Sequence, residues 1–434
     1  MVNRLKNADA DFEKGFAEML AQKREVSEEV DGIVADIVKD VRTRGDAALI
    51  ELSKKFDSVD LADKGIAVTG DEVAEAIEVV RAKSPEALEA LEFARDRIIA
   101  HHQRQKPVSG RYRDQAGVEL GERWTPVDSA GLYVPGGTAS YPSSVLMNGI
   151  PAKVAGVSRI VMVVPTPRGE LNPLVLVAGS MVADEIYRVG GAQAVAALAY
   201  GTETIAPVAT IVGPGNAYVA AAKRQVYGTV GIDSIAGPSE VLVIADKHND
   251  PEWIATDLLA QAEHDTAAQS ILMTDDADFA DAVEAAVERQ LTELPRSAIA
   301  TPSWRDNGAI ILLGSLDEAP PLADRVAAEH LEIATQNAEE LVARINNAGA
   351  IFIGSYTPEV IGDYVAGTNH VLPTARSAKF SSGLGVLDFM KRTSILKLDP
   401  QSLAALGPAA MTLARSEGLE GHRRSVEVRL KKTG

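Results

Sequence analysis

Apolar residues recur at helical spacing along most of residues 8–105. The stretch "SEEVDGIVADIVKDVRTRGDAALIELSKKF" predicts helix with Ser27 as its N-cap, and "SPEALEALEFARDRIIAHHQRQ" predicts another helix with Pro85 near its first turn. From "GVELGERWTPVDSAGLYVPGG" onward the pattern changes to strands and glycine-rich turns. Most of the first hundred residues are therefore expected to be helical.

Short apolar runs then alternate with helical patterns in two series. The first series contains "RIVMVVP", "EIYRVG" and "VATIVG", and the second contains "SEVLVIAD", "QSILMTD", "GAIILLG", "HLEIAT" and "AIFIG". Such alternation is typical of parallel sheets built from right-handed βαβ units. We therefore predict two α/β domains that meet near residue 237, in "IDSIAGPSE", and a helical, polar segment after about residue 384.

The composition of the chain disfavours some classes of binding partner and some kinds of catalytic chemistry. The chain has 434 residues, and 43 Lys and Arg against 61 Asp and Glu give a net charge of −18, which disfavours nucleic acid and anionic membrane surfaces as partners. The absence of cysteine excludes disulfides, thiolate metal sites and cysteine nucleophiles. Because no uncharged apolar run reaches about 18 residues and "MVNRLKNADADFEKG" has no signal-peptide pattern, we expect a cytoplasmic protein.

Two strand-to-helix turns are rich in glycine. One carries Gly213, Gly215 and Asn216 in "IVGPGNAYVAAAKR", and the other carries Gly191 and Gln193 in "RVGGAQAVAALAYG". Glycine lets the backbone approach a ligand closely, and the N-terminus of a helix attracts phosphate. Neither turn has the G-x-G-x-x-G dinucleotide fingerprint, so each fits a nucleotide site or ordinary turn geometry.

The stretch "SAGLYVPGGTASYPSSVLMNGIPAKVAGV" predicts a long binding loop. It clusters glycine, proline and serine, as loops do, but it also holds aromatic and apolar residues that a flexible linker would lack. Tyr133 is its candidate for stacking on a flat ring of a ligand.

The seven histidines fall into two groups. His101 and His102, at a polar helix end, and His248, in a turn, are predicted to be surface residues. Each of the other four has an acidic or amide companion nearby in the chain. These candidates for chemistry are His264, His330, His370 and His422.

Gln261 and His264 lie three residues apart in "LLAQAEHDTAAQS", so on a helix they share one face. Such a pair is either a solvated helix end or half of a metal site. Zinc accepts nitrogen and oxygen donors, and two histidines, an aspartate and an amide oxygen are a chemically allowed set. Because an amide oxygen is a weak ligand, the metal would stay acidic and ready to take a substrate nitrogen.

Glu329 and His330 form a second pair in "AAEHLEIAT". Neighbours within a strand point to opposite faces, but where a strand starts at a turn both can face one site as an acid–base pair. The alternative is a surface glutamate before an inward histidine.

Taken together, these stretches resemble the histidinol dehydrogenases. In the family's order, across residues 130–430, the resemblance is carried by "GLYVPGG", "YPSSVLMN", "VGGAQAVAALAYGTE", "VGPGNAYVAAAKRQV", "IAGPSEVLVIAD", "DLLAQAEHD", "EHLEI", "GDYVAGTNHVLPT" and "EGLEGHRRSVEVRL". It implies an α/β fold of two Rossmann-like parallel-sheet domains, arranged as in aldehyde dehydrogenases, with helical N- and C-terminal extensions.

The resemblance also implies a function. That family oxidises L-histidinol to L-histidine through L-histidinaldehyde, the last step of histidine biosynthesis, with two NAD+ and one zinc ion per subunit. It acts as a homodimer in which the C-terminal segment completes the partner's site. The implied roles in this chain are zinc ligation by Gln261, His264, Asp363 and His422; acid–base catalysis by Glu329 and His330; substrate binding by these zinc ligands with His330, Ser239, His370 and Glu417; and NAD contact by Tyr133, Gln193 and Asn216.

The expected division of the chain follows the same resemblance. It comprises an N-terminal helical arm at 1–25, a first α/β domain at 26–129 plus 237–384 with the metal and catalytic residues, a second α/β domain at 130–236 on the NAD side, and a C-terminal dimerisation segment at 385–434.

Because the chain has no cysteine, the second oxidation cannot use a thiolate nucleophile. Aldehyde oxidation through a thiohemiacetal needs a thiolate, so here water must add to the aldehyde, and Glu329 is placed to activate that water. Two stretches depart from the family pattern: "GTNH" stands where Gly-Pro-Asn-His is common, and "AAEH" where proline often precedes Glu-His. Both are loop substitutions that replace none of the implied site residues.

Three other functions fit parts of the sequence. A dehydrogenase of the same fold acting on another polyol, such as a sulfonated diol, would not need Glu417 and His370 to recognise an imidazole. A zinc hydrolase would leave the glycine turns without a role. A non-catalytic metal- or ligand-binding scaffold would not explain the Glu329–His330 pair.

Overall fold

The computed structural model describes residues 2–21, 28–136, 141–235 and 237–431, so the predicted cap Ser27 lies outside the described residues. The strands are β1 (Asn3–Lys6), β2 (Gly110–Arg113), β3 (Glu119–Pro126), β4 (Ser129–Tyr133), β5 (Arg159–Val163), β6 (Glu185–Tyr187), β7 (Thr210–Val212), β8 (Gly231–Ile232), β9 (Glu240–Ala245), β10 (Gln269–Thr274), β11 (Ala309–Leu312), β12 (His330–Ala334), β13 (Ala350–Ile353) and β14 (Met390–Lys397).

The α-helices surround these strands. They are α1 (Phe12–Ala21), α2 (Glu28–Arg44), α3 (Asp46–Phe56), α4 (Leu61–Lys64), α5 (Gly70–Lys83), α6 (Pro85–Gln103), α7 (Pro142–Ala155), α8 (Pro173–Val182), α9 (Gly191–Tyr200), α10 (Ala217–Val226), α11 (Pro251–Ala262), α12 (Ala277–Leu291), α13 (Ser297–Pro302), α14 (Ala319–Val326), α15 (Ala338–Val342), α16 (Glu359–Tyr364), α17 (Pro400–Ser416) and α18 (Glu420–Leu430).

Two parallel sheets confirm the predicted fold class. The six-stranded sheet has the order β1-β11-β10-β9-β12-β13, and the five-stranded sheet has the order β6-β5-β4-β7-β8. Every residue of β9 and β10 is buried, as expected for parallel strands with helices on both faces. A smaller antiparallel sheet, β14-β3-β2, carries the C-terminal helices at its end.

Helices α2 to α6 pack against the five-stranded sheet, whereas α1 packs against the six-stranded sheet. Val34 and Leu49 share one buried core with Val195 of α9. The division that joins 26–129 to 237–384 stays a prediction, and in this structure the apolar faces of α2 to α6 are buried against the five-stranded sheet.

Three local predictions are corrected. Most of the predicted binding loop after Tyr133 is helix α7, which tolerates Pro142 in its first turn and an internal Pro151, while residues 137–140 lie outside the described residues. The predicted helical region after residue 384 begins with strand β14, and the predicted helical arm begins with strand β1. Among the described residues, no helix combines the length and apolar character that crossing a membrane requires.

Candidate active site

The five-stranded sheet has a switch point between β4 and β7. The chain winds outward in opposite directions from these two neighbouring strands, and open α/β sheets bind ligands at the carboxyl ends of such strands. Tyr133 ends β4 and Gly213 follows β7, so both predicted elements lie there. Beside them, at the ends of β4 and β5, is a cavity of about 270 Å³ lined by residues that include Pro135, Pro165 and Asn172.

Tyr133 is buried, with 4% of its surface exposed. Its hydroxyl accepts a hydrogen bond from the Gly191 N–H at 3.0 Å. Burial raises the pKa of this phenol to about 12, against the opposing effect of the Gly191 bond. The predicted contact of Tyr133 with a flat ligand ring stays a prediction. The ring belongs to the core, and its hydroxyl holds the second glycine turn.

The other two predicted NAD residues start helices on this side of the sheet. Gln193 is buried in the first turn of α9. Asn216 is exposed and caps α10, where its Oδ1 accepts the N–H groups of Tyr218 at 3.1 Å and Val219 at 3.2 Å. This capping leaves the amide NH₂ of Asn216 facing outward from a glycine turn.

Glu329 and His330 lie where β12 begins, at the amino end of the six-stranded sheet. The Glu329 carboxylate accepts the Glu240 N–H at 3.1 Å and a hydrogen bond from the Ser239 hydroxyl. Its Oε2 is 3.9 Å from His330 Nδ1. The turn before the strand thus lets neighbouring residues face the same site, with Ser239 beside them.

Carboxylates surround His330. Its Nδ1 is 3.7 Å from Glu359 Oε2, and its Nε2 is 3.4 Å from Asp363 Oδ1. Burial alone would lower the pKa of His330, but Glu359, Glu329 and Asp363 outweigh burial and raise it to about 10. In this chain the imidazole therefore binds its proton firmly.

The carboxylates behind His330 are protonated more readily than usual. Burial raises the pKa of Glu329 to about 7 and that of Glu359 to about 8. Burial also raises the pKa of Glu332 and of Asp257, which are hydrogen-bonded to each other. Because so many buried carboxyls cannot all ionise together, the cluster holds exchangeable protons next to His330.

Gln261 is fully buried, and neither its Oε1 nor its Nε2 has a hydrogen-bond partner among the described residues. A buried unpaired amide is costly and calls for a ligand or another explanation. His264 lies in the turn just after α11 ends at Ala262, so Gln261 and His264 do not share a helix face as predicted. His264 is exposed, yet the packed protein around its ring lowers its pKa, with Asp363 opposing. Burial would raise the pKa of Asp363, but the neighbouring imidazole of His330 lowers it.

These groups are neutral or anionic donors, as a cation requires. In the described part of the chain, however, no three His, Asp or Glu side chains are close enough together to hold a metal ion by themselves. Gln261, His264 and Asp363 thus supply suitable donor chemistry but, within the described chain, no complete set of ligands.

His370 lies between the two halves of the molecule. Its Nδ1 is 2.9 Å from the Asp363 carbonyl, which only accepts, so Nδ1 carries the proton. Its Nε2 is 3.1 Å from the Ser144 hydroxyl of α7, which must therefore donate. Burial lowers the pKa of His370, which favours this neutral form.

The sequence did not single out three residues of this site. Ser144 was read as part of a loop, and Glu359 looks like an ordinary acid in the first turn of a helix. His102, predicted to be exposed, is fully buried, and its ring lies 3.5 Å from the Asn369 side chain. No spacing rule could find them, because each meets its partner from a distant part of the chain.

The described chain does not bring the last two predicted residues to the cluster. His422 is exposed on α18, and Glu417 is exposed at the end of α17, whereas Glu329 and His330 are buried.

The fold and the site define an α/β enzyme in which a nucleotide-type switch point accompanies a buried imidazole–carboxylate cluster, and the comparisons identify its class as oxidoreductase. A family model of histidinol dehydrogenase matches residues 20–430. The chain therefore belongs to the histidinol dehydrogenase family.

Individual relatives agree along the whole chain. The histidinol dehydrogenase of Rhizobium meliloti (strain 1021) is 66% identical over 431 residues, 99% of each chain. That of Brucella suis biovar 1 (strain 1330) is 66% identical over 99% of this chain and 100% of its own. The crystal structure of histidinol dehydrogenase from Elizabethkingia anophelis superposes with a TM-score of 0.94 at 36% identity, covering 100% of this chain and 98% of that one.

Proposed function

We propose that this chain oxidises L-histidinol to L-histidine through L-histidinaldehyde, using two NAD+ and a zinc ion. The substrate is inferred from its relatives, which are histidinol dehydrogenases. The observation that most supports the chemistry is the imidazole of His330, which lies 3.4 Å from Asp363 and 3.9 Å from Glu329. An acid–base pair next to a candidate metal ligand suits an alcohol that must lose both a proton and a hydride.

The donor set fits zinc. Gln261, His264 and Asp363 would hold the ion together with His422 of the partner subunit, and the unpaired amide of Gln261 would gain the partner it lacks in this chain. When bound, zinc would orient the amine and imidazole of the substrate as a Lewis acid.

The carboxyl edge of the five-stranded sheet fits NAD+. The switch point, the glycine turns at 190–191 and 213–215 and the adjoining cavity lie together at this edge, where open α/β sheets bind nucleotides. We assign cofactor contacts to Gln193 and Asn216 from this edge. Tyr133 would act indirectly, because its hydroxyl accepts the Gly191 N–H and so holds the glycine turn at 190–191.

The protein's own groups account for the proton steps. Because His330 carries a proton, the imidazolium would pass one to the Glu359 carboxylate, 3.7 Å away, as it takes the proton of the alcohol, whose hydride would go to the cofactor. In the second oxidation Glu329, fixed by Ser239 and the Glu240 N–H, takes a proton from the water that adds to the aldehyde. His370, with its tautomer fixed by the Asp363 carbonyl, helps to hold the substrate.

A homodimer follows from the same proposal. Glu417 and His422 lie on outward-facing C-terminal helices that also expose Leu413, Leu419 and Val428. A second chain would bury these apolar groups and bring Glu417 and His422 of the partner subunit to the cluster. We propose that this dimer works in the cytoplasm.

The direct test feeds L-histidinol and NAD+ to the purified protein and counts NADH by absorbance. We expect two NADH for each histidinol consumed, loss of turnover after chelation, and recovery on adding zinc. One NADH per substrate would contradict the second oxidation, and turnover without NAD+ would contradict the dehydrogenase assignment.

A further inference from the structure

A buried ion pair lies next to the glycine turn at 213–215. Lys223 of α10 and Asp233, just after β8, form a salt bridge in which their side chains are only 2% and 5% exposed. Burying a lysine and an aspartate costs several kcal/mol per ion unless their remaining bonds are satisfied. The remaining hydrogen bonds of the two side chains therefore determine whether this ion pair is stable.

Those bonds go to a single residue. Asp233 Oδ2 accepts the Gly213 N–H at 2.7 Å, and Lys223 Nζ donates to the Gly213 carbonyl at 3.1 Å. Both backbone polar groups of Gly213 are thus held by opposite ends of one ion pair. This arrangement fixes the orientation of both peptide planes that flank Gly213.

Gly213 is also packed tightly on the side that faces β4. Its φ of +114° is one that residues with a side chain rarely adopt, and a Cβ there would lie 2.2 Å from the Tyr133 carbonyl oxygen. The turn is therefore packed against β4 on one side and hydrogen-bonded to the Lys223–Asp233 ion pair, which we call the clamp, on the other. Tyr133 in turn holds Gly191, so the clamp is linked to both glycine turns.

We propose that Lys223 and Asp233 are positioning residues for the dinucleotide cofactor, which hold the 213–216 turn in the conformation that binds it. Because the turn is set before the ligand arrives, binding avoids the entropy cost of ordering it. This inference rests on the proposed NAD+ site and adds the residues that shape it. Neither residue needs to touch the cofactor.

The test replaces the pair without leaving a buried charge. In Lys223→Met/Asp233→Leu the two side chains keep much of their volume, and such replacements often preserve stability. We expect a melting temperature close to that of the wild type and a Kd for NADH, measured by its fluorescence, that rises about tenfold or more. Histidinol affinity by calorimetry should change less than twofold, about the error of the comparison.

A matched control removes an ion pair from the other end of the same sheet. Arg159 and Glu185 pair at the amino ends of β5 and β6, away from the glycine turns. Arg159→Met should lower the melting temperature without changing the Kd for NADH. A second clamp variant, Asp233→Glu with Lys223→Arg, retains both charges and should recover part of the lost affinity.

The outcomes separate the two proposals. If the wild type binds no NADH, the proposed function fails. If the wild type binds it and the folded double variant binds it equally well, the positioning role is overturned. If the double variant does not fold, hydrogen exchange at the Gly213 amide in Asp233→Asn decides: wild-type protection together with wild-type NADH affinity would also overturn it.

Discussion

At the scale of single residues, the amide of Gln261 is the clearest sign that the site is incomplete in one chain without its ligands. Most buried polar groups in folded proteins have partners, and this side chain has none among the described residues. Gln269 is equally buried, but its Nε2 donates to the Asn307 carbonyl at 2.8 Å. The two glutamines therefore form a natural pair for comparison.

The first prediction concerns Gln261→Met. Removing an unpaired buried amide should leave the metal-free protein as stable as the wild type or up to about 3 kcal/mol more stable, and the rise in melting temperature on adding zinc should largely disappear. Gln269→Met should instead lose about 1–3 kcal/mol and keep its response to zinc. Urea unfolding with a chelator, followed by a zinc titration, measures both. Equal destabilisation by the two substitutions would show that Gln261 is already paired.

The second prediction concerns Glu329→Gln. The variant should still form NADH from histidinol in a first turnover, because His330 remains, but oxidation of added histidinaldehyde should slow by about 10²–10⁴-fold. Ser239→Ala, which removes only the hydroxyl that holds Glu329, should slow the same step by a smaller factor. Stopped-flow measurement of each half-reaction separates the steps. Equal losses in both half-reactions would falsify the assigned role.

At the scale of elements, the capping box of α5 links a helix start to a buried arginine. Glu72 accepts hydrogen bonds from the Thr69 N–H and hydroxyl, both at 3.0 Å, and pairs with Arg188, which is 1% exposed. Burial opposes ionisation of Glu72, but the bonds from Thr69 and Arg188 outweigh it and lower its pKa from 4.5 to about 2. The carboxylate thus joins α5 to the end of β6.

The third prediction follows from that lowered pKa. The contribution of Glu72 to stability should be complete above about pH 4.5, where the unfolded state is also ionised, and should be lost as the pH falls toward 2. Glu72→Gln should therefore cost about 1–2 kcal/mol at neutral pH, less than a fully buried pair because Glu72 is part-exposed. Urea unfolding at several pH values should show the difference from wild type shrinking in acid. Glu75→Gln, on the exposed face of α5, should show no such trend.

The elements also show how much the sequence could predict. Strands β9 and β10 contain short apolar runs, and α9 and α10 follow glycine turns, so the sequence predicts their types and order correctly. Strand β14 was missed because most of its residues are exposed and give no alternating pattern. Helix α7 was missed because its prolines and serines resemble a loop, while its helical state depends on burial against α6 and α8.

Sequence patterns could predict only those parts of the candidate site whose residues are close together in the chain. Glu329 and His330 stand side by side in the sequence, and Gln261 and His264 are three residues apart. Glu359 and Ser144 reach His330 and His370 only through the fold. Local patterns carry no information about such distant contacts.

At the scale of the whole molecule, the proposed site would combine residues of two chains. The cluster around His330 lies on the six-stranded sheet, whereas His422 is exposed on α18, beyond the antiparallel sheet. A homodimer that exchanges its C-terminal helices would contain two composite sites. Each would combine the cluster of one chain with His422 of the partner subunit.

The fourth prediction tests this exchange by mixing two inactive variants. In a mixed dimer of His330→Ala and His422→Ala chains, one site receives both defects and the other receives neither. Random mixing should therefore restore activity at about a quarter of all sites. Refolding the two variants together and measuring NADH formation checks this. Persistent inactivity of verified mixed dimers would place His422 in its own chain's site, and the surface variant His248→Ala should be active without mixing.

The pairing of β1 has a consequence for synthesis of the chain. Asn3 lies opposite Ala309 at the edge of the six-stranded sheet, so this strand must wait until most of the polypeptide has left the ribosome. The five-stranded sheet and the helices that cover it come from one continuous stretch, residues 28–232. We therefore expect the nascent chain to complete the five-stranded sheet first and to close the six-stranded sheet last, when β1 pairs with β11.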